Sequence, residues 1–84
     1  MEPVRVLVVE DEPEVLEATR IALQEKGYQV YAAASGEEGF RYFKAVHPQL
    51  LLIDHKLSGI SGLDFLRAAK ADNPKVRAIF MTGL

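Results

Sequence analysis

Two uninterrupted apolar runs, Val6-Leu7-Val8-Val9 and Leu50-Leu51-Leu52-Ile53, each end directly on acid: Glu10, Asp11 and Glu12 after the first, Asp54 after the second. A strand with one wet face alternates apolar and polar residues. A run of four without a polar break suits a strand covered on both faces, as in a parallel sheet between helix layers. Both acidic sets then emerge at the same rim of that sheet. Carboxylates forced together there repel one another unless a cation sits between them, so the two runs predict a metal site along with a fold.

The punctuation between the runs supports this layout. A first strand over residues 4–9 is broken only by Arg5. Pro13 suits the first turn of a helix, where its missing N–H costs nothing, and the acids around it favour the positive helix end. Val15, Leu16, Thr19, Ala22 and Leu23 trace one helical face, with Glu14, Glu17, Arg20, Gln24 and Glu25 mostly on the other, and Lys26 and Gly27 read as the helix end. Alternation around Val30 and Ala32 places a weaker second strand over residues 29–33. Ser35-Gly36-Glu37-Glu38 has the form of a capping box, in which serine and glutamate satisfy each other's exposed backbone donors. Phe40, Phe43 and Val46 supply the stripe of that helix, and His47-Pro48 stops it. A third strand over 50–53 leads into a loop with Ser58, Gly59, Ser61 and Gly62, then a helix over about 63–71 that Asp72-Asn73-Pro74 terminates. A fourth strand follows over 76–81. Strand and helix alternate throughout with short connections, which predicts right-handed crossovers and an α/β domain with helices on both faces of a parallel sheet.

Ligands of such sheets bind beyond the carboxyl ends of the strands, where the strand order reverses. If the first and third strands are central neighbours and the second flanks the first, Glu10, Asp11, Asp54 and Thr82 converge on one crevice. An oxygen-rich set lacking histidine and thiolate suits Mg²⁺ better than zinc, and Thr82 would offer a hydroxyl to an anion held by the metal. Acids near helix N-termini are common for dipole reasons alone. It is their conjunction with Asp54 and Thr82 at one rim that favours a site. His55 reads as a solvated loop side chain, His47 as a helix-end residue, and Phe40, Phe43 and Phe65 as packing. Lys56 is either a solvated loop charge or a cation held near the carboxylates.

Eighty-four residues make a single domain. Ten basic against twelve acidic residues, a net charge of −2 and no lysine-arginine run give this segment no expected nucleic-acid partner. The absence of cysteine excludes a disulfide framework or thiolate metal site. An acidic N-terminus and no apolar stretch near the ~20 residues that span a bilayer predict a soluble, cytoplasmic chain without membrane contact. Neither G-x-G-x-x-G nor G-x-x-x-x-G-K-[ST] occurs, which, with the acidic rim, disfavours a small flavin or nucleotide binder.

Taken together, Val8-Val9-Glu10-Asp11-Glu12-Pro13, Leu51-Leu52-Ile53-Asp54, Leu57-Ser58-Gly59-Ile60-Ser61-Gly62 and Ile79-Phe80-Met81-Thr82-Gly83 resemble the receiver domain of two-component response regulators, in the same order and along the whole chain. The resemblance implies a flavodoxin-like doubly wound sheet with strand order 2-1-3-4. It implies a Mg²⁺-dependent phosphoacceptor that assists its own phosphorylation without being a conventional enzyme, partnered by a sensor histidine kinase or phosphotransfer protein. By resemblance Asp54 is the phosphoacceptor, Asp11 a direct Mg²⁺ ligand, and Glu10 the second acid, often acting through a water. The Lys56 backbone carbonyl is the third protein ligand, Thr82 the switch hydroxyl, and Gly83 the small residue that leaves the phosphate accessible. Two departures stand out. Ser58 takes the place of a usual proline, and residues 1–84 amount to an incomplete receiver without the usual fourth helix, fifth strand and fifth helix, which carry a lysine and an aromatic switch residue. The alternative expectation is therefore a truncated fragment that acts only as a folding, assembly or interaction module. Residues 76–81 are expected to form an apolar sheet edge that supports a homo-oligomer.

Overall fold

The computed structural model describes residues 2–54, 57 and 59–81, which form seven alternating elements. They are β1 (Arg5–Val9), α1 (Pro13–Glu25), β2 (Gln29–Ala33), α2 (Gly36–Val46), β3 (Leu50–Asp54), α3 (Gly62–Asp72) and β4 (Arg77–Met81). Every pairing is parallel and the strand order is β2-β1-β3-β4, so the expected topology holds, including the weakly patterned β2.

β1 sits between β2 and β3, and Val6, Leu7, Val8 and Val9 have no solvent exposure. Alternation along the strand sends Leu7 and Val9 to one face, where they join Leu51, Ile53, Phe43, Phe65, Ala69 and Val76 in the core under α2 and α3. Phe40 stands beside this cluster with its ring centroid 5.9 Å from Phe43 and 5.3 Å from Phe65, so the three phenylalanines pack as their spacing predicts. Val6 and Val8 point to the opposite layer, where α1 packs on β1 and β2. That layer is less filled. No residue of α1 is fully buried, and Val15 and Ile21 stay 41% and 43% exposed, so the expected apolar stripe is covered only in part.

Helix ends follow local chemistry with one displacement. α1 closes in a Schellman motif: Gly27 takes φ +95°, its N–H donates to the Gln24 carbonyl at 3.0 Å, and the Tyr28 N–H donates to that of Leu23 at 3.2 Å. At the start of α2, Ser35 Oγ accepts from the Glu38 N–H at 3.1 Å as a capping box requires. Glu38 Oε1 accepts instead from the Ala34 N–H at 2.8 Å, one residue earlier than the box expects.

Arg5, the one polar residue of the first strand, has a specific task. Its Nε donates to the carbonyls of Val46 at 2.9 Å and His47 at 3.2 Å, and its Nη2 donates to His47 at 3.0 Å. His47, in the left-handed region at φ 50°, is the C-cap of α2, so a strand residue supplies the cation that satisfies the last carbonyls at the negative end of that helix. Arg5→Met, which keeps the aliphatic stem, is expected to cost about 1–2 kcal/mol with an unchanged m-value in urea unfolding.

Candidate functional site

The parallel register places Val9 opposite Ile53, so β1 and β3 deliver Glu10 and Asp54 side by side at their carboxyl ends. This is also the switch point of the sheet. The connection leaving β1 leads to β2 on one side, while that leaving β3 leads to β4 on the other, which opens a crevice between their ends. Asp11 lies in the bend before Glu12, the N-cap of α1. Carboxylate oxygens of Glu10, Asp11 and Asp54 all come within 4.8 Å of one another. The three acids expected at one rim do meet.

Their environments differ. Asp11 and Asp54 are half-buried, whereas Glu10 is only 4% exposed and is anchored from both ends. Its backbone N–H donates to the Ala33 carbonyl at 3.0 Å, and its Oε1 accepts the Glu12 N–H at 3.2 Å. Burial pushes the Glu10 carboxyl up to about 7, helped by a hydrogen bond with Asp54 and by the charges of Asp54 and Asp11, while the Glu12 N–H pulls the other way. A proton at neutral pH thus partly relieves the crowding of three carboxylates. A hard divalent cation would do so more completely, and an all-oxygen donor set without nitrogen or sulfur fits Mg²⁺.

Lys56, Thr82, Gly83 and His55, all considered from the sequence, lie outside the described residues. The described residues of the β3–α3 connection are anchored. Leu57 is buried in the core, Gly59 takes φ +87°, and Ser61 Oγ accepts the Asp64 N–H at 3.1 Å as the N-cap of α3. Periodicity gave no hint of Ile60, whose side chain rests on Gly36 at the start of α2. A surface cavity of about 630 Å³ lined by Arg5, Tyr28, His47, Lys75 and Arg77, among others, lies at the opposite rim and shares no residue with the acids.

Comparison with known proteins bears directly on this geometry. The family model for the response regulator receiver domain matches residues 6–84. Over 80 residues the chain is 34% identical to the transcriptional regulatory protein TrcR of Mycobacterium tuberculosis, an alignment covering 95% of this chain and 31% of TrcR. The crystal structure of a response regulator receiver domain protein from Methanospirillum hungatei superposes with a TM-score of 0.94 at 31% identity, covering 99% of this chain and 66% of that one. TrrA of Thermotoga maritima, 34% identical, has been crystallised in complex with Mg²⁺-BeF, with a TM-score of 0.82 and coverage of 92% and 65%. It has also been crystallised with the histidine kinase ThkA, with a TM-score of 0.87 and coverage of 95% and 69%. The chain spans about a third of the length of the curated relatives it matches. Among the described residues no helix is long and apolar enough to cross a membrane.

The raised Glu10 carboxyl makes metal-free stability depend on pH in a fixed direction. Between its ordinary value of 4.5 and about 7 the folded chain binds the extra proton, so stability falls as pH rises through that window and is lowest above it. In chelator, urea midpoints are expected to drop from pH 5 to pH 8 by the equivalent of about 2–3 kcal/mol, and Glu10→Gln should remove most of that slope.

Proposed function

The chain belongs to the response regulator receiver domain family, and from that membership we propose that it is the Mg²⁺-dependent phosphoacceptor module of a two-component phosphorelay, with Asp54 as the acceptor. The observation that carries this reading is the meeting of Glu10, Asp11 and Asp54 at the rim between β1 and β3. Asp11, Asp54 and the backbone carbonyl of Lys56 would hold the ion, with Glu10 acting through a water. When bound, Mg²⁺ supplies neutralising charge for the phosphoryl oxygens. TrrA, with its Mg²⁺-BeF complex and its complex with ThkA, supports the same ion and a histidine kinase as partner.

In this reading a kinase phosphohistidine docks over the crevice, and an oxygen of Asp54 bonds to phosphorus as the P–N bond breaks. The electron pair leaves with the imidazole, which takes up a proton, and Asp54 becomes an acyl phosphate. Such transfer depends on positioning more than on covalent help from the protein. The β1–β3 register supplies that positioning for the acids. Phosphorylation exchanges a single negative charge for about two, and the Thr82 hydroxyl is the group drawn toward the new oxygens, with small Gly83 beside it leaving them accessible. The chain is thus a phosphoacceptor whose modified surface is read by another protein.

A second reading, an assembly module, draws on a separate observation. β4 pairs only with β3 among the described residues and leaves Ile79 53% exposed, an apolar edge to which β4 of a second copy could add. Light scattering at micromolar concentration should then show a dimer that Ile79→Lys dissociates, whereas a wild-type monomer removes this reading.

The acceptor reading is tested with a small phosphodonor and Mg²⁺, followed by intact-mass spectrometry. One acid-labile phosphoryl adduct, as an acyl phosphate requires, is expected on the wild type and none on Asp54→Ala; persistence of the adduct in that variant would refute Asp54 as the acceptor. Asp11→Asn should abolish Mg²⁺ binding in titration. Because the ion competes with the proton on Glu10, wild-type Mg²⁺ affinity should rise with pH through about 7.

A further inference from the structure

α2 begins with Gly36, although glycine is among the poorest helix formers. Its backbone does not demand glycine, since the described residues with left-handed φ are Gly27, His47 and Gly59. The requirement is steric. A Cβ at Gly36 would overlap the Cγ2 methyl of Ile60, with Ile60 Cβ 3.5 Å away and Phe65 Cδ2 3.9 Å away. Ile60 therefore rests against the bare backbone of the first turn of α2.

Ile60 belongs to the connection that follows Asp54. Leu57 ties this connection to the core beneath, and Ser61 ties it to α3 ahead. The Ile60 contact instead ties it sideways, to an element that is itself fixed to the acid cluster. The Ser35 and Glu38 side chains lock the turn into α2, and the Ala33 carbonyl at its entrance accepts the Glu10 N–H at 3.0 Å. A continuous set of contacts thus runs from Glu10 through the end of β2 and the first turn of α2 to Ile60.

We propose that Ile60, seated on Gly36, is a positioning residue for the acceptor site. It sets the spacing between its own part of the β3–α3 connection and the first turn of α2, and through the Ala33–Glu10 bond the geometry of the rim where Glu10, Asp11 and Asp54 meet. The role rests on the reading of this rim as a Mg²⁺ and phosphoryl site. A side chain at position 36 would force Ile60 outward, or the first turn of α2 aside, by about 1–2 Å to restore ordinary carbon contacts. A misplacement of ~1 Å at a reacting centre can slow a reaction by about 10²-fold.

Four chains decide the matter: wild type, Gly36→Ala, Ile60→Ala and the double variant. Each is measured by Mg²⁺ titration, by phosphorylation rate with a small phosphodonor, and by amide resonances of residues 57–61. Gly36→Ala, which helix propensity alone would favour, is expected to bind Mg²⁺ roughly 10-fold more weakly and to react at least 10-fold more slowly. Ile60→Ala should lose about 3-fold in affinity. The double variant should regain most of what Gly36→Ala lost, with its resonances returning toward wild type, because Ile60→Ala removes the Cγ2 methyl that the added Cβ would overlap. A generally loosened fold would give no such recovery. Wild-type affinity and rate in Gly36→Ala, or a double variant no better than Gly36→Ala, would overturn the proposal. Should Gly36→Ala not fold, Ile60→Ala decides alone, and unchanged Mg²⁺ affinity in it overturns the role. A wild-type chain that takes up no Mg²⁺ overturns the site reading itself, whereas a wild type that binds beside unaffected variants overturns only the positioning role.

Discussion

The complete withdrawal of Val6, Leu7, Val8 and Val9 from water leaves β1 one workable place in a domain of this size, the middle of a sheet with a helix layer on each face. Apolar burial is worth roughly 25 cal/mol per Å², and β1 realises it on both faces at once. Once β1 is central, β2 and β3 flank it, and the short connections force helices to carry the chain back over the sheet. The last residues of the two central strands then stand next to each other whatever their chemistry. Here they are Glu10 and Asp54, so the core dictates that acids collide.

The collision is a stability cost kept at the site. Glu10 is buried more deeply than Asp11 or Asp54 and holds its proton to an unusual pH, as a carboxyl does when it is crowded by like charge and removed from solvent. Apolar residues at these positions would relieve the repulsion, at the cost of the bond that Glu10 Oε1 accepts from the Glu12 N–H. Strain of this kind at a converging set of oxygens is characteristic of a site shaped for a charge that the chain itself does not carry.

The strands and the acid cluster were legible in the sequence because both depend on local pattern: unbroken apolar runs, acids at their ends, and turn residues between. β2, with poor strand formers, was readable only from its place in the alternation, and its pairing with β1 overrides its weak propensity. What could not be read depends on partners distant in the chain. Arg5 looked like a flaw in a strand until the carbonyls of Val46 and His47 came within its reach. Gly36 read as part of a capping box, and only the fold brings Ile60 onto it. The partly open stripe of α1 was likewise hidden, since helical spacing reports which residues share a face but not how much lies opposite.

The central position of β1 also sets a schedule for synthesis. This strand leaves the ribosome ahead of its β3 partner, which begins at Leu50 and emerges some 45 residues later, at about 5–20 residues per second a delay of roughly 2–9 s. During that interval α1 and β2 can fold back on β1 as a right-handed crossover, shielding one edge and one face. The other edge of the most apolar segment in the chain has to wait. A nascent chain of this design is therefore most vulnerable to association along the open edge of β1 until β3 arrives, even where the crossover of β1, α1 and β2 has already formed.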